Sequence, residues 1–172
     1  MAKYTLDQYL RLDVAALKAL NVFPSSQAGD IGSVSGQAGS LYGLLNQCKT
    51  QIGARLLKKW LKQPVSNSAE IENRHSIVDY FVTNEQTRDE MQQTHLRTFP
   101  DLEKLYSKFY RVQAKMRNNA QLVDCVKVYN MIHTLEALVR YLDDACIDDS
   151  HKLRLEMIEP LKATLVEFGK LK

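Results

Sequence analysis

The chain has 172 residues, of which 45 % are apolar and 25 % are charged, a composition typical of a folded domain with a core of its own. Its formal net charge of +3 is too small to identify a partner, and no apolar run approaches the length of a membrane span. The three cysteines, Cys48, Cys125 and Cys146, are widely spaced and odd in number, which argues against a disulfide framework and suits a reducing compartment.

The first predicted elements are an extended segment over residues 9–12 and a short helix over residues 14–20. Asp13 is a suitable N-cap for this helix, because its carboxylate can accept a hydrogen bond from the first turn. A glycine-rich stretch over residues 24–39 follows. It has no Gly-Lys-Ser/Thr ending and no hydrophobic strand before it, so it lacks what phosphate-binding loops require. The stretch is therefore predicted to be a flexible surface loop.

Helices are predicted for most of the remaining chain. Thr50 can cap a helix over residues 51–62, which Pro64 ends. Asn67 and Thr83 each stand three positions before a Glu or Gln, which is the spacing of a capping box, and each is predicted to open a further helix.

In the C-terminal half, Asn118 or Asn119 is predicted to open a helix, and the pair His133-Thr134 to break it before a shorter one. The apolar spacing predicts about eight helices joined by short links and no convincing run of alternating strands. The sequence therefore predicts an all-α, multi-helix domain, with room for one short strand at its N-terminus.

The titratable residues form no recognisable catalytic or metal-binding pattern. Histidines and cysteines lack the spacing of zinc ligands, and neither a Cys-x-x-Cys pair nor a Gly-x-Ser-x-Gly elbow is present. The sequence predicts no catalytic, cofactor-binding or metal-binding residue, and hence no enzyme activity in this chain. The histidines, interpreted as structural or surface residues, are His75, His95, His133 and His151.

Two basic helix faces are candidates for nucleic-acid contact. Spacings of three and four residues place each set on one face, and such stripes can neutralise phosphates. They can equally be the solvated side of an amphipathic helix. Arg55 belongs to the first stripe, and the candidates for weak phosphate contacts are Lys58, Lys59 and Lys62 in that stripe and Lys104, Lys108, Arg111 and Lys115 in the second.

The segment over residues 45–65, LNQCKTQIGARLLKKWLKQPV, is the most specific stretch of the chain. It resembles the central core, or lever, domain of the MutS family of DNA mismatch-recognition proteins. The family pattern is a Thr, then Gly-x-Arg-Leu-Leu, a Trp, and a Pro followed by an aliphatic residue. Flanking motifs extend the resemblance over nearly the whole chain, and Asn21-Val22-Phe23 brings it closest to the eukaryotic second MutS homologue. The signature residues are Thr50, Gly53, Arg55, Leu56, Leu57, Trp60 and Pro64, followed by Val65.

The resemblance implies that residues 1–172 are a lever-domain fragment of a mismatch-repair ATPase. The mismatch-binding domain, the ATPase domain and most or all of the DNA clamp would lie outside this chain. In the family the lever helices join the clamp to the ATPase, so the implied role is mechanical coupling. The parent protein would bind ATP and magnesium, act on mismatched DNA with a second MutS homologue as heterodimer partner, and reside in the nucleus, with no membrane partner.

The signature residues are expected to have structural roles. Gly53 would permit the close approach of a neighbouring backbone. Arg55 would clamp a carboxylate or a helix C-terminus through its planar guanidinium. Leu56, Leu57 and Trp60 are expected to be buried on the apolar face of their helix. Trp60→Ala would then lower the free energy of unfolding by about 3–5 kcal/mol.

Two alternatives to the lever fragment stay open at this point. The chain could be an independent helical scaffold that binds a protein partner, or a weak, non-specific nucleic-acid binder that uses its basic stripes. A parent reading frame that continues into a Gly-x-x-x-x-Gly-Lys-Ser/Thr loop would favour the lever fragment over both.

Overall fold

The computed structural model describes four stretches of the chain. They are residues 9–24, 39–113, 120–145 and 154–169. The predicted glycine-rich loop over residues 24–39 falls almost wholly outside them, as do Lys115, Cys146 and His151.

The chain divides into two compact units, Met1–Glu72 and Asn73–Lys172. In its described residues, the N-terminal unit contains three complete helices and the start of a fourth. These are α1 (Val14–Ala19), α2 (Leu41–Leu45), α3 (Gln51–Lys62) and the first residues of α4 (Ser68–Thr83).

Both ends of α1 are fixed by hydrogen bonds. Asp13 is its N-cap, as the sequence predicts. At the other end, the backbone N–H of Val22 donates to the Leu17 carbonyl at 3.0 Å and that of Asn21 to the Lys18 carbonyl at 3.0 Å. Asn21 adopts a φ of 48°, the left-handed conformation that this type of helix ending requires. Val22, which follows it, is 3 % exposed and anchors the ending in the unit.

The two sides of the glycine-rich stretch are tied together at its base. The backbone N–H groups at the start of α2, those of Leu41 and Tyr42, donate to the carbonyls of Asn21 and Val22 at 3.0 and 2.9 Å. The Asn21 side-chain amide donates to the Gly39 carbonyl. The end of α1 and the start of α2 therefore satisfy one another's unpaired backbone groups.

The extended segment near the N-terminus forms less β structure than a strand. Tyr9 and Val65 make one isolated antiparallel bridge, and the Leu10 N–H donates to the Pro64 carbonyl at 2.8 Å. Within the described stretches no β-strand is present, so the short N-terminal strand reduces to this bridge.

The C-terminal unit is arranged around one long helix, α7. Its further helical segments in the described residues are α5 (Glu85–Glu90), a π-helical turn (Met91–His95), α6 (Leu102–Gln113), α7 (Leu122–Ala145), a second π-helical turn (Arg154–Ile158) and α8 (Glu159–Gly169).

The core of this unit forms where α4, α7 and the second π-helical turn meet. Leu142 and Ile158 have no exposed surface, and the Tyr80 hydroxyl donates to the Ala145 carbonyl at 3.3 Å. The all-α fold is thus confirmed for the described residues. None of the helices among them is long and apolar enough to cross a membrane. The buried core cluster comprises Tyr80, Leu135, Leu138, Val139, Leu142 and Ile158.

The predicted break at His133-Thr134 is wrong, because α7 runs through it without interruption. Met131 and Leu135, on either side of these residues, are 5 % and 6 % exposed and pack on the same face. The Thr134 hydroxyl donates to the Asn130 carbonyl at 3.0 Å, so it is accommodated within the helix. Burial of Met131 and Leu135 outweighs the weak helix propensity of His133 and Thr134.

Two predicted helix starts are also wrong. Thr83 is the last residue of α4, where its hydroxyl donates to the Asp79 carbonyl, and Asn84 is the N-cap of α5. The long helix α7 begins at Leu122 and not at Asn118 or Asn119, which lie outside the described residues.

Candidate functional site

The signature segment folds around α3, whose bounds are those that the sequence predicts. Thr50 is the N-cap, and its hydroxyl oxygen accepts a hydrogen bond from the Gly53 N–H at 3.1 Å. At the other end, the Gln63 N–H donates to the Lys59 carbonyl at 3.0 Å, and Pro64 follows outside the helix. The ends of α3 are therefore fixed by its own flanking residues.

The close neighbours of Gly53 are side chains, whereas the sequence predicts a neighbouring backbone. A methyl group placed at its Cα would lie 3.1 Å from the Thr50 hydroxyl oxygen and 3.6 Å from the Cys48 side chain. The crowding therefore comes from side chains just before α3, and not from the backbone of another element. A larger residue here would press on the capping hydroxyl.

The apolar face of α3 is only partly covered in this chain, which corrects the expectation of burial. Leu56 is 45 % exposed and Trp60 is 41 % exposed, while Leu57 and Leu61 are half-buried. An exposed Trp beside an exposed Leu on one helix face is typical of a contact surface. Arg55, on another side of the helix, is half-buried.

The lysines of the first basic stripe have different surroundings in the structure. The Lys58 ammonium lies over the Phe23 ring, 5.7 Å from its centroid, a cation–π arrangement. Lys59 and Lys62 instead line a cavity of about 440 Å³ together with Arg11. Sequence reasoning missed Arg11, since nothing in the sequence pairs residues 9–10 with residues 64–65.

The residues of the second basic stripe also have different surroundings. The Lys108 ammonium binds both carboxylate oxygens of Asp124, at 2.9 and 3.0 Å, and so ties α6 to α7. Lys104 lies 3.7 Å from a carboxylate oxygen of Asp101 and is largely exposed. Arg111 is exposed, and Lys115 lies outside the described residues. Lys108 therefore has a structural partner that competes with a phosphate.

Asp124 is a buried carboxylate with several donors. Its side chain is 3 % exposed, and besides Lys108 it accepts from the Gln121 N–H at 3.1 Å and lies 3.4 Å from the Lys127 ammonium. The hydrogen bonds from Lys108 lower the pKa of Asp124 from 3.8 to about 2, with smaller contributions from Gln121 and Lys127. The carboxylate is thus ionised at neutral pH and satisfied on all sides.

A second carboxylate, Asp143, joins the end of α7 to the segments that follow it. The Lys162 ammonium and an Arg154 guanidinium nitrogen lie 2.9 and 3.0 Å from one of its oxygens. The hydrogen bond from Lys162 lowers the pKa of Asp143, and Arg154 adds to this effect. Among the described residues no group of three or more His, Cys, Asp or Glu side chains could hold a metal ion.

Comparison with known proteins decides which family this arrangement belongs to. The family model of MutS domain III matches residues 15–170. The chain belongs to the MutS family. It is 37 % identical over 173 residues to the DNA mismatch repair protein msh-2 of Neurospora crassa, covering 98 % of this chain and 17 % of that protein.

Other relatives of the family align over similar lengths. The DNA mismatch repair protein MSH2 of Saccharomyces cerevisiae is 33 % identical over 87 % of this chain, and the MutS protein of Exiguobacterium sp. is 29 % identical over 95 % of it. The chain spans 16 % of the yeast protein and 19 % of the bacterial one. The signature segment is therefore part of a domain that eukaryotic and bacterial mismatch-repair proteins share.

Proposed function

We propose that this chain is the lever segment of a DNA mismatch-repair ATPase, in which packed helices couple the state of bound DNA to the state of bound nucleotide. The match of residues 15–170 to MutS domain III carries this proposal. The names of the relatives, all DNA mismatch repair proteins, indicate the process. The segment itself performs no chemistry in this scheme.

The proposal extends to the protein that would contain the segment. That parent hydrolyses ATP with magnesium, binds mismatched DNA, and works in the nucleus with a second MutS homologue as its heterodimer partner. The nucleotide site lies in a different domain from the segment, which agrees with a glycine-rich stretch that lacks the lysine of a phosphate-binding loop.

The contacts of the C-terminal unit suit a part that moves as a body. Lys108 and Asp124 join α6 to α7 by two charge-assisted hydrogen bonds, and Asp143 joins α7 to α8 through Lys162. Packed helices with such ties switch between discrete arrangements more readily than they deform. A displacement at one end of α7 would then reach its other end.

The test uses the full-length protein that carries this segment, with Asp124→Asn introduced to loosen the tie between α6 and α7. We expect basal ATP hydrolysis and DNA affinity to stay within about twofold of wild type, because neither site includes Asp124. The factor by which mismatched DNA changes the ATPase rate should fall about threefold or more, the range seen when residues between coupled sites are altered.

Asp89→Asn is the matched control, because it makes the same change at a carboxylate of the same unit that is 60 % exposed. It should leave the DNA-dependent change in rate intact. If Asp124→Asn loosened the unit, as a lower Tm would show, and the DNA-dependent change were still that of wild type, the lever proposal would be wrong.

A further inference from the structure

The cavity of the N-terminal unit gathers positive charge in a way that the lever role does not explain. Its volume is about 440 Å³, and three of the residues around it, Arg11, Lys59 and Lys62, are cationic. None of its lining residues is acidic. The remaining ones are Tyr9, Leu10, Leu12 and Gln63.

Two segments far apart in sequence build this cavity. The Leu10 N–H donates to the Pro64 carbonyl at 2.8 Å, and Tyr9 pairs with Val65, which places Arg11 beside the last turn of α3. Lys59 and Lys62 are three residues apart on α3 and so lie on one face of it. The arrangement therefore depends on the fold and is not a run of basic residues in sequence.

Three cationic residues that line one cavity repel one another, and a bound anion would offset that repulsion. The ion pairs of the described residues involve other cations, and in that part of the chain no carboxylate pairs with Arg11, Lys59 or Lys62. The negative end of the α3 dipole favours Lys59 and Lys62, which stand in its last turn. It does not account for Arg11, which precedes α1 and lines the same cavity.

We propose that this cavity binds a phosphate group, as carried by a nucleic-acid backbone or by a nucleotide. A guanidinium presents paired N–H donors that match phosphate oxygens, and the two lysines of α3 would add positive charge. The volume lies within the range of about 300–1,000 Å³ that small-ligand sites occupy, so it exceeds what a lone phosphate needs. This site goes beyond the lever function and does not depend on it.

The experiment is a titration of the 172-residue chain followed by backbone amide chemical shifts. The probes are inorganic phosphate, ATP without magnesium, and a single-stranded thymidine oligonucleotide, each at constant ionic strength. We expect the largest shifts in residues 9–12 and 59–63. Tighter binding of the oligonucleotide identifies the backbone as the source of the phosphate, and tighter binding of ATP identifies a nucleotide.

Substitutions distinguish binding at the cavity from a general attraction of anions to basic residues. Arg11→Gln and Lys62→Gln should each weaken binding about fivefold or more, since each removes a charge-assisted contact. Lys58→Gln removes the same charge from the same helix, but Lys58 lies over the Phe23 ring and does not line the cavity, so binding should change less than twofold. Arg11→Lys, which keeps the charge, should restore part of the affinity, and circular dichroism should show every variant folded.

Two outcomes would overturn the proposal. One is the absence of saturable shifts in residues 9–12 and 59–63 with all three probes. The other is an equal loss of affinity in Lys58→Gln and Lys62→Gln, because this would mean that the whole basic face attracts anions without a site.

Discussion

The two helices α3 and α7 differ in what covers their apolar faces. In α7, Leu138, Val139 and Leu142 are between 0 and 5 % exposed and belong to the core of the C-terminal unit. In α3 no residue is buried, and Trp60 is 41 % exposed. Burial holds α7, whereas caps and the backbone hydrogen bonds around it hold α3.

Amphipathic spacing therefore predicts which face of a helix is apolar but not what covers that face. The residues of α3 separate into an apolar and a basic side far more cleanly than those of α7 do. Yet α7 is the better buried of the two. A clean separation needs water on one side, whereas a helix packed from several sides carries apolar residues around much of its surface.

The largest effect should come from Leu142→Ala in α7. Leu142 has no exposed surface and belongs to the buried core cluster, so its removal leaves a cavity and should lower the free energy of unfolding by about 3–5 kcal/mol. Chemical denaturation followed by circular dichroism measures this. Val166→Ala in α8, where the side chain is 62 % exposed, is the control and should change stability by less than about 0.5 kcal/mol.

A smaller effect, and one that depends on pH, is expected for Asp124→Asn. The folded-state pKa of Asp124 is lowered to about 2 from 3.8, so its carboxylate stabilises the fold above pH 3.8 and loses this contribution as the pH falls through about 2. The Tm of wild type should exceed that of the variant at neutral pH. The gap should narrow as the pH falls from 3.8 to about 2.

Asp89→Asn provides the comparison, because Asp89 is 60 % exposed and pairs with Arg88 at the surface. Its Tm should stay close to that of wild type throughout the titration. A gap for Asp124→Asn that is the same at every pH would show that the amide disturbs packing and not an ion pair.

Trp60→Ala should have a smaller effect still on this chain. The half-exposed ring loses less buried area than a core tryptophan, so the cost should be about 1–2 kcal/mol instead of the 3–5 kcal/mol expected from the sequence. Lys59→Ala, next to it and exposed, should change stability by less than about 0.5 kcal/mol. A loss for Trp60→Ala as large as that for Leu142→Ala would mean that α3 is buried after all.

The sequence predicts well those parts of the fold that neighbouring residues in the chain determine. The bounds of α3 follow from Thr50 before it and Pro64 after it, both readable without knowledge of the rest of the chain. The break at His133-Thr134 was wrong because burial of residues on either side, which no local pattern reveals, keeps α7 continuous.

The candidate site was predictable only where its residues lie on one helix. Lys59 and Lys62 were found by their spacing, whereas Arg11 reaches them through a bridge between Tyr9 and Val65 that sequence spacing does not reveal. Spacing alone makes Lys108 a phosphate-contact candidate, because its partner Asp124 stands sixteen positions later on a different helix. Long-range pairing therefore decides which basic residues are available.

Native-state hydrogen–deuterium exchange of the 172-residue chain tests the contrast between the two helices most directly. The amides of α7 around Leu142 should exchange only through full unfolding of their unit, because their side chains form its core. The amides of α3 should exchange through a smaller opening, at least about tenfold faster, because caps and hydrogen bonds hold this helix with little burial. Equal protection of the two helices would contradict the account, since α3 would then have a core of its own.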